Sequence, residues 1–574
     1  MKNLTVVNLS NNKLLSLGGE NGVGSTFEKL RILDLSSCNL RRFPSFLRSA
    51  KSLSQLDLSN NKIQGSIFKW ETQGWEQLSD LDLSHNLLTS IEQFPGKNLA
   101  SIDLHSNLLQ GPLPTPPTSV REFLISENKL TGEITSSICN LTSLMILDLS
   151  RNYFGGTIPK CLGNFSRDIY TMNLQMNSFR GKIPDFCVQY DGLMTLALRD
   201  NQLEGLLPGS FANCTSLRFL NVANNSLNGL FPHWLGTLPN LQVLILRSNS
   251  FHGRLDDSTN SSSFSRLQVI DISGNEFTGS LPSKFFRSLK ALKVADYKHP
   301  SIHQSCSNLV YRRHCQWSAV DDYKNFVQVT MKRLELELDL EKSLTGFTLV
   351  DFSSNRLVGQ ISEVFAELHA LLVLNLSHNS LTGPLPRSLG SMTALESLDL
   401  SSNKFGGRIP SELTKLTFLS VLNLSHNNFV GPIPGGNQFS TFDNDSYIGN
   451  LNLCGFPVSK KCGNDKEPNP PTSKLAEDED STMAFWKIVM MGYGCGVVFG
   501  LSTGYIVFTT GRPWWFVRMK YLQKTRKFPN SSQQDLLLEM QQDENVNAGY
   551  STSNIEAHRL RLGDSQAAVR KKHA

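Results

Sequence analysis

The stretch Leu144-Met-Ile-Leu147-Asp-Leu149-Ser-Arg-Asn152-Tyr-Phe154-Gly-Gly156-Thr-Ile158-Pro159 decides the fold. The same pattern returns at Leu217 to Pro232, Leu371 to Pro386, Leu395 to Pro410 and Leu419 to Pro434, and sixteen copies of varying fidelity run along the chain. Its asparagine falls at Asn12, Asn61, Asn86, Asn107, Asn128, Asn152, Asn177, Asn201, Asn225, Asn249, Asn275, Asn355, Asn379, Asn403 and Asn427, with Cys38 in that place in the second copy. Apart from one interruption the spacings run from 21 to 26 residues, 24 being the commonest. Leucines at alternate positions, as at Leu147 and Leu149, put two side chains on one face of a short strand. The asparagine follows where the chain turns, and its amide is suited to backbone groups of the neighbouring coil. The Gly-x-Ile-Pro ending breaks regular structure and begins an extended return path. One coil cannot bury its own leucines; stacked coils share a continuous core. The spacing therefore predicts an α/β solenoid, a superhelix with a parallel sheet on its concave face.

Composition agrees. Of 574 residues 85 are leucine, and the net charge is only +5, which argues against a nucleic-acid binder driven by bulk charge. Charged residues make up 18%, below the ~25% of ordinary soluble domains. The length, which alone would suggest several globules, is accounted for by one repeat array and its appendages.

The consensus L-x-x-L-x-L-S-x-N-x-L-x-G-x-I-P resembles the plant-type extracellular leucine-rich repeat, over residues 1 to about 463. One interruption breaks it. Asn275 to Asn355 is 80 residues apart, one repeat plus about 56. The stretch taken as an island, residues 283–343, lies between a first block of about twelve repeats (1–282) and a last block of four (344–434). It holds Tyr311, Trp317, Cys306 and Cys315, and the alternating run Met331 to Lys342, which predicts a strand or amphipathic segment near re-entry. A long insertion in a repeat array marks a functional loop or a tolerated one. An island four repeats before the end resembles plant receptor-like proteins and brassinosteroid-type receptors; Lys332 to Phe347 followed by Val350-Asp-Phe-Ser-Ser-Asn355 is more similar to the former. Residues 435–463, with Tyr447-Ile-Gly-Asn-Leu-Asn-Leu-Cys454 and Cys462, resemble that family's C-terminal cap. At the other end Met1 enters directly into a repeat, without a signal peptide or paired-cysteine cap, and the resemblance implies a truncated N-terminus.

Beyond a polar, acidic linker (464–487), Ile488 to Thr510 is 23 residues without a charge. As a helix it would span roughly 34 Å, enough for a ~30 Å hydrocarbon core. Trp486 precedes it, and Trp514 and Trp515 follow. Glu477-Asp-Glu-Asp480 lies on one side and six basic residues between Arg512 and Lys527 on the other, so the positive-inside rule predicts repeats outside and the 511–574 tail in the cytoplasm. The predicted location is therefore the plasma membrane, single-pass, type I. Gly492, Gly496, Gly500 and Gly504 fall on one helical face and would let a second helix approach closely. Gly500-Leu-Ser502-Thr-Gly504 also fits the G-x-S-x-G nucleophile elbow, but an uncharged membrane helix gives Ser502 no base, and no catalytic role is assigned.

Four cysteine pairs are disulfide candidates: Cys139–Cys161 and Cys187–Cys214 between adjacent coils, Cys454–Cys462 in the cap and Cys306–Cys315 in the island. Buried free thiols are the alternative for the four repeat cysteines. No cysteine spacing fits a zinc site, and neither metal nor cofactor is expected. Sequons begin at Asn3, Asn8, Asn140, Asn164, Asn213, Asn224, Asn260, Asn375, Asn423 and Asn444, as in a glycoprotein of the secretory pathway. The tail lacks every kinase motif, so no enzyme is expected.

The resemblance implies a cell-surface receptor that binds an extracellular peptide or microbial elicitor and signals, in defence or development, through partners. These would be an adaptor receptor kinase on the glycine face and a repeat-bearing co-receptor kinase docking near Asn355 to Pro434. Ligand residues are sought at Arg199, Asp200, Arg247 and Ser248, read as strand positions projecting from the concave sheet, and at Tyr311 and Trp317; solvated charges are the plainer reading of the first four. The competing function is a repeat protein that binds cell-wall material or inhibits secreted enzymes without signalling.

Overall fold

The computed structural model describes residues 4–13, 27–67, 75–94, 96–163, 168–255, 263–294 and 346–462, with the backbone of 326–331 and 334–339. Sixteen three-residue strands form one parallel sheet in chain order. We number them β1 Val6–Asn8, β2 Ile32–Asp34, β3 Gln55–Asp57, β4 Asp80–Asp82, β5 Ser101–Asp103, β6 Glu122–Leu124, β7 Ile146–Asp148, β8 Thr171–Asn173, β9 Thr195–Ala197, β10 Phe219–Asn221, β11 Val243–Ile245, β12 Val269–Asp271, β13 Leu349–Asp351, β14 Val373–Asn375, β15 Ser397–Asp399 and β16 Val421–Asn423; coil n contains βn. The middle residue of each strand from β2 onward, such as Leu147 or Leu398, is buried in the shared core. The two flanking residues fall on the other, concave face.

The asparagine explains why short coils hold together. Asn152 Nδ2 donates to Leu149 O at 3.2 Å and Ser150 O at 3.1 Å in its own coil and to Ile125 O at 3.0 Å in the preceding one. Its Oδ1 accepts from Leu130 N at 3.0 Å. The amide thus satisfies several buried backbone groups, each of which would cost ~1–3 kcal/mol unpaired. Cys38 replaces part of this: its thiol donates to Leu9 O at 3.0 Å and Ser36 O at 3.4 Å. Before each asparagine the chain passes through a left-handed residue, such as Arg151 at φ 53° or His378 at φ 53°. The asparagine bonds hold that otherwise unfavourable turn.

The return path differs from an α-helical one. It is a second, lateral sheet, ten strands of which run from Arg180–Lys182 to Asn452–Cys454, followed by 3₁₀ turns such as Ser136–Asn140, Gly209–Asn213 and Ser411–Lys415. Among the described residues the one α-helix is Ser283–Ser288. Coils of about 24 residues leave too little chain for more, and the proline that opens most of these turns fixes an extended entry. Neighbouring turns approach closely: a Cβ at Gly163 would overlap the carbonyl of Asp185, and one at Gly390 that of Glu412.

The solenoid closes across the insertion. β12 pairs with β13 in the same register as its neighbours. Asn355 Nδ2 reaches Ile272 O at 3.0 Å, 83 residues away in sequence. The island boundary at 283 is too early. Phe286, Leu289 and Leu292 are fully buried in the core, so Ser283–Ser288 and Lys290–Leu292 complete coil 12. Phe326–Met331 and Leu334–Asp339 form an antiparallel hairpin within the insertion. At the end of the stack the last lateral strand of the repeats pairs with Asn452–Cys454. There Asn450, outside the repeat pattern, takes the asparagine's role, with Nδ2 on Leu424 O at 2.9 Å and Oδ1 accepting from Phe429 N at 3.0 Å.

No helix among the described residues is long and apolar enough to cross a membrane. The predicted span Ile488 to Thr510, its four glycines and the tail lie outside the described residues.

Candidate functional site

The concave sheet presents two columns of side chains per strand and a third just beyond it. Local chemistry explains the aspartates of the second column. In the Leu-Asp-Leu-Ser pattern the carboxylate accepts from the backbone N–H two residues on, as Asp148 does from Ser150 N at 2.9 Å and Asp271 from Ser273 N at 2.9 Å. Stacking then sets like charges side by side. Asp34 lies opposite Asp57, Asp57 opposite Asp82 and Asp82 opposite Asp103, one strand spacing of ~4.8 Å apart. Burial, then Asp103 and Asp57, push the Asp82 carboxyl up to about 7. Burial also raises Asp57, against the bonds from Ser59.

Further along, the face becomes apolar. Ala197, Phe219, Ala223, Val243, Ile245, Val269, Leu349 and Val373 form a buried cluster separate from the main core, with Phe347 and Leu372 packed beside it. Two cations edge this bed. Arg199 and Arg247 occupy the third column in coils 9 and 11, with Ala223 between them, roughly 10 Å apart at two strand spacings. Arg199 Nε lies 2.7 Å from Asp200 Oδ2, and its side chain is only 14% exposed. Both arginines lower Asp271, yet burial keeps that carboxyl above its ordinary value. Asp351, buried beside Asp271, rises to about 7.

The four residues sought here are therefore brought together, with one correction. β9 ends at Ala197 and β11 at Ile245, so none of them is a strand residue. Asp200 and Ser248 are the left-handed turn residues, at φ 54° and 53°. Asp200 also accepts from Asn224 Nδ2 at 2.5 Å. Tyr311, Trp317, Cys306 and Cys315 lie outside the described residues.

Cys139 is disulfide-bonded to Cys161, Cys187 to Cys214 and Cys454 to Cys462. The first two tie coil 6 to coil 7 and coil 8 to coil 9 on the return side. The described sequons other than Asn224, the left-handed turn residue of coil 10 at φ 52°, separate into two groups. Asn140 and Asn213 end 3₁₀ turns and Asn444 begins one. Asn8, Asn375 and Asn423 stand on the concave strands, where each Nδ2 donates to the aspartate of a neighbouring strand, at 2.7 Å to Asp34, 3.0 Å to Asp351 and 3.0 Å to Asp399. Asn3, Asn164 and Asn260 lie outside the described residues. No group of three or more His, Cys, Asp or Glu side chains among the described residues is placed to hold a metal.

Profiles described as leucine rich repeat match residues 191–251 and 347–405, and in single copies 29–50, 52–71, 143–165, 266–288 and 418–440. Receptor-like protein 54 of Arabidopsis thaliana is 41% identical over 84% of this chain and 60% of its own length. Receptor-like protein 7 of the same plant is 49% identical over 84% of this chain and 50% of its own. The chain belongs to the leucine-rich-repeat receptor-like proteins. It spans only about half to three fifths of these relatives' length. Among solved structures, the Arabidopsis receptor kinase HAESA, in complex with the peptide hormone IDA and the co-receptor SERK1, is 27% identical with a TM-score of 0.56, over 75% of this chain and 66% of that one. The plant peptide hormone receptor RGFR1, in complex with RGF2, is 26% identical with a TM-score of 0.53, over 71% and 61%.

Proposed function

We propose that this receptor-like protein binds an extracellular peptide or microbial elicitor along its concave sheet and signals through a partner receptor kinase, in defence or development. The observation that carries the reading is the arginine-edged apolar bed of coils 9 to 14. Two cations roughly 10 Å apart beside a buried apolar surface suit an extended chain that bears both carboxylates and apolar side chains. The solved relatives with peptides bound support the same use of the fold.

Around this site the chain is organised as repeats, island, cap (435–463), linker (464–487), membrane span (488–510) and cytoplasmic tail (511–574), with the repeats outside the plasma membrane. Tyr311 and Trp317 contribute to ligand contact from the island, which Cys306–Cys315 ties. Glycans occupy Asn3, Asn140, Asn164, Asn213, Asn260 and Asn444. Gly492, Gly496, Gly500 and Gly504 hold the adaptor kinase, and the last four coils dock a co-receptor kinase. No enzyme activity resides in the chain itself.

The test of ligand binding is retention of extracellular peptides on the immobilised full chain, compared with an Arg199→Ala/Arg247→Ala variant by mass spectrometry. A peptide retained by the first and reduced at least ~10-fold on the second, a loss of ~1.4 kcal/mol, is expected. Identical retention on both contradicts the assignment. For the partner, replacing Gly492, Gly496 and Gly500 by leucine is expected to abolish co-purification of a kinase; unchanged recovery contradicts it.

A further inference from the structure

Two histidines from successive coils meet at the edge of the carboxylate column. His85 is the left-handed turn residue of coil 4, at φ 52°, and is exposed. His105 stands in the third column of coil 5. Their Nε2 atoms are 2.9 Å apart, and the rings cross at 80° with centroids 4.5 Å apart. The other nitrogen of His105 is 2.7 Å from Asp103 Oδ1, which also accepts from His105 N at 3.0 Å.

This chain of contacts constrains the protons. Two nitrogens at 2.9 Å share one proton, one donating and the other accepting. Asp103 accepts from His105 Nδ1, so the second His105 nitrogen either receives a proton from neutral His85 or, when His105 is charged, donates one to it. Both arrangements keep the contact. Two charged imidazoles have only N–H groups to present to each other, and the contact breaks.

We propose that Asp103, His105 and His85 form a pH-sensitive clasp between coils 4 and 5, closed while the histidine pair holds at most one positive charge and opened when acid adds the second.

The surroundings fit a singly charged state. Burial works against protonation of His105, but the bond and charge of Asp103, with Asp82 and Asp148, carry its pKa above the ordinary value. Burial, then the neighbouring His105, hold His85 below it, although Asp103 and Glu127 pull the other way. The groups around the pair are Asp82 from β4, Asp103 from β5, Glu127 from coil 6 and Asp148 from β7. Glu127 accepts from Ser106 Oγ at 2.5 Å and lies 3.6 Å from Arg151. The sign follows for each histidine. His105, raised, contributes stability that is full below pH ~6.5 and lost as pH rises through its folded pKa. His85, lowered, contributes stability present above pH ~6.5 and lost as pH falls through its folded pKa. Opening on acidification is therefore the His85 step. It loosens the edge of the concave face beside the carboxylate column and sets two positive charges there. The inference is independent of which ligand, if any, the sheet binds.

The protein carries its own control. His378 occupies the same turn position in coil 14, and its N–H donates to Ser401 O at 2.9 Å as His85 N–H donates to His105 O at 2.9 Å. In coil 15 the third-column residue is Ser401, so no imidazole pair forms. Neighbouring coils also supply tolerated replacements, since Ser106 and Ser248 stand at the His85 position and Ser59 and Ser84 at the His105 position.

The experiment is amide hydrogen exchange of the full chain from pH 8 to pH 4.5, corrected for intrinsic rates, comparing 80–110 with 373–403. Wild type is expected to lose about tenfold in protection at 80–110, relative to 373–403, below pH ~6. His85→Ser and His105→Ser should each flatten that loss. A flat wild-type profile, or the same acid loss in both variants, would overturn the clasp.

Discussion

The carboxylate column of coils 2 to 5 and the apolar bed of coils 9 to 14 share the concave face of one sheet, the carboxylates in its second column and most of the bed in its first, and they behave oppositely. In both, the middle strand residue is a core side chain and, apart from Cys38 in coil 2, the asparagine bonds follow the same pattern. The concave residues differ: Gln55, Asp80 and Ser101 in the first column of one region become Phe219, Val243 and Val269 in the other. The backbone frame is thus indifferent to what it displays. The first-column apolar residues gain from burial; the carboxylates of coils 2 to 5 are crowded and their charge costs more as pH rises, as it does for Asp271 and Asp351 in the second column of coils 12 and 13.

Introducing a charge at equivalent positions should separate the regions most sharply. Val243→Asp places an unpaired carboxylate in the fully buried bed and is expected to cost about 3 kcal/mol or more. Gln55→Asp, at the matching position on half-buried coil 3, should cost under ~1 kcal/mol. Denaturant unfolding with local hydrogen exchange measures both; equal costs would erase the distinction.

Next comes Asp82→Asn. A carboxyl raised to about 7 contributes stability that is complete below its unfolded value of 3.8 and lost as pH rises through 7. The amide should therefore stabilise coils 3 to 5 at pH 8, by on the order of 2 kcal/mol, and do little at pH 4. A stability gain independent of pH would refute the charge explanation.

The smallest effect is expected from Arg247→Met. Arg247 and Arg199 lower Asp271, so removing Arg247 should raise that carboxyl further and deepen the alkaline loss of stability, by less than Asp82→Asn changes it. An unchanged pH profile of thermal unfolding would show that Arg247 acts on something else.

How much of this was legible in the sequence follows from the same contrast. The coil interior was legible because Leu147, Leu149 and Asn152 do one job at one spacing sixteen times. Asn450 escaped because its coil lacks the leucine pattern, although Tyr447-Ile-Gly-Asn450 puts an apolar residue and an asparagine in the usual order. The coil 12 helix escaped because no asparagine-bearing strand pattern follows Phe286, Leu289 and Leu292 in sequence, the next concave strand starting only at Leu349. The concave site was only half legible. Arg199 and Arg247 stand out as charges near strands, but their placement beyond the strand ends depends on where each strand stops. The apolar bed is visible only once Phe219, Val243 and Leu349 are set in register. The His85–His105 pair lies 20 residues apart and becomes visible as a contact only once β4 and β5 are set in register, Asp80 beside Ser101.

The central claim is that recognition resides on the arginine-edged part of the concave sheet. A photo-cross-linking residue at position 247, with controls at Ser388 on the return side and at Gln55 in the acidic region, tests it on the full chain incubated with extracellular peptides. The account predicts a peptide adduct from position 247 and none from 388 or 55. Adducts from 388 or 55 with none from 247 would contradict it.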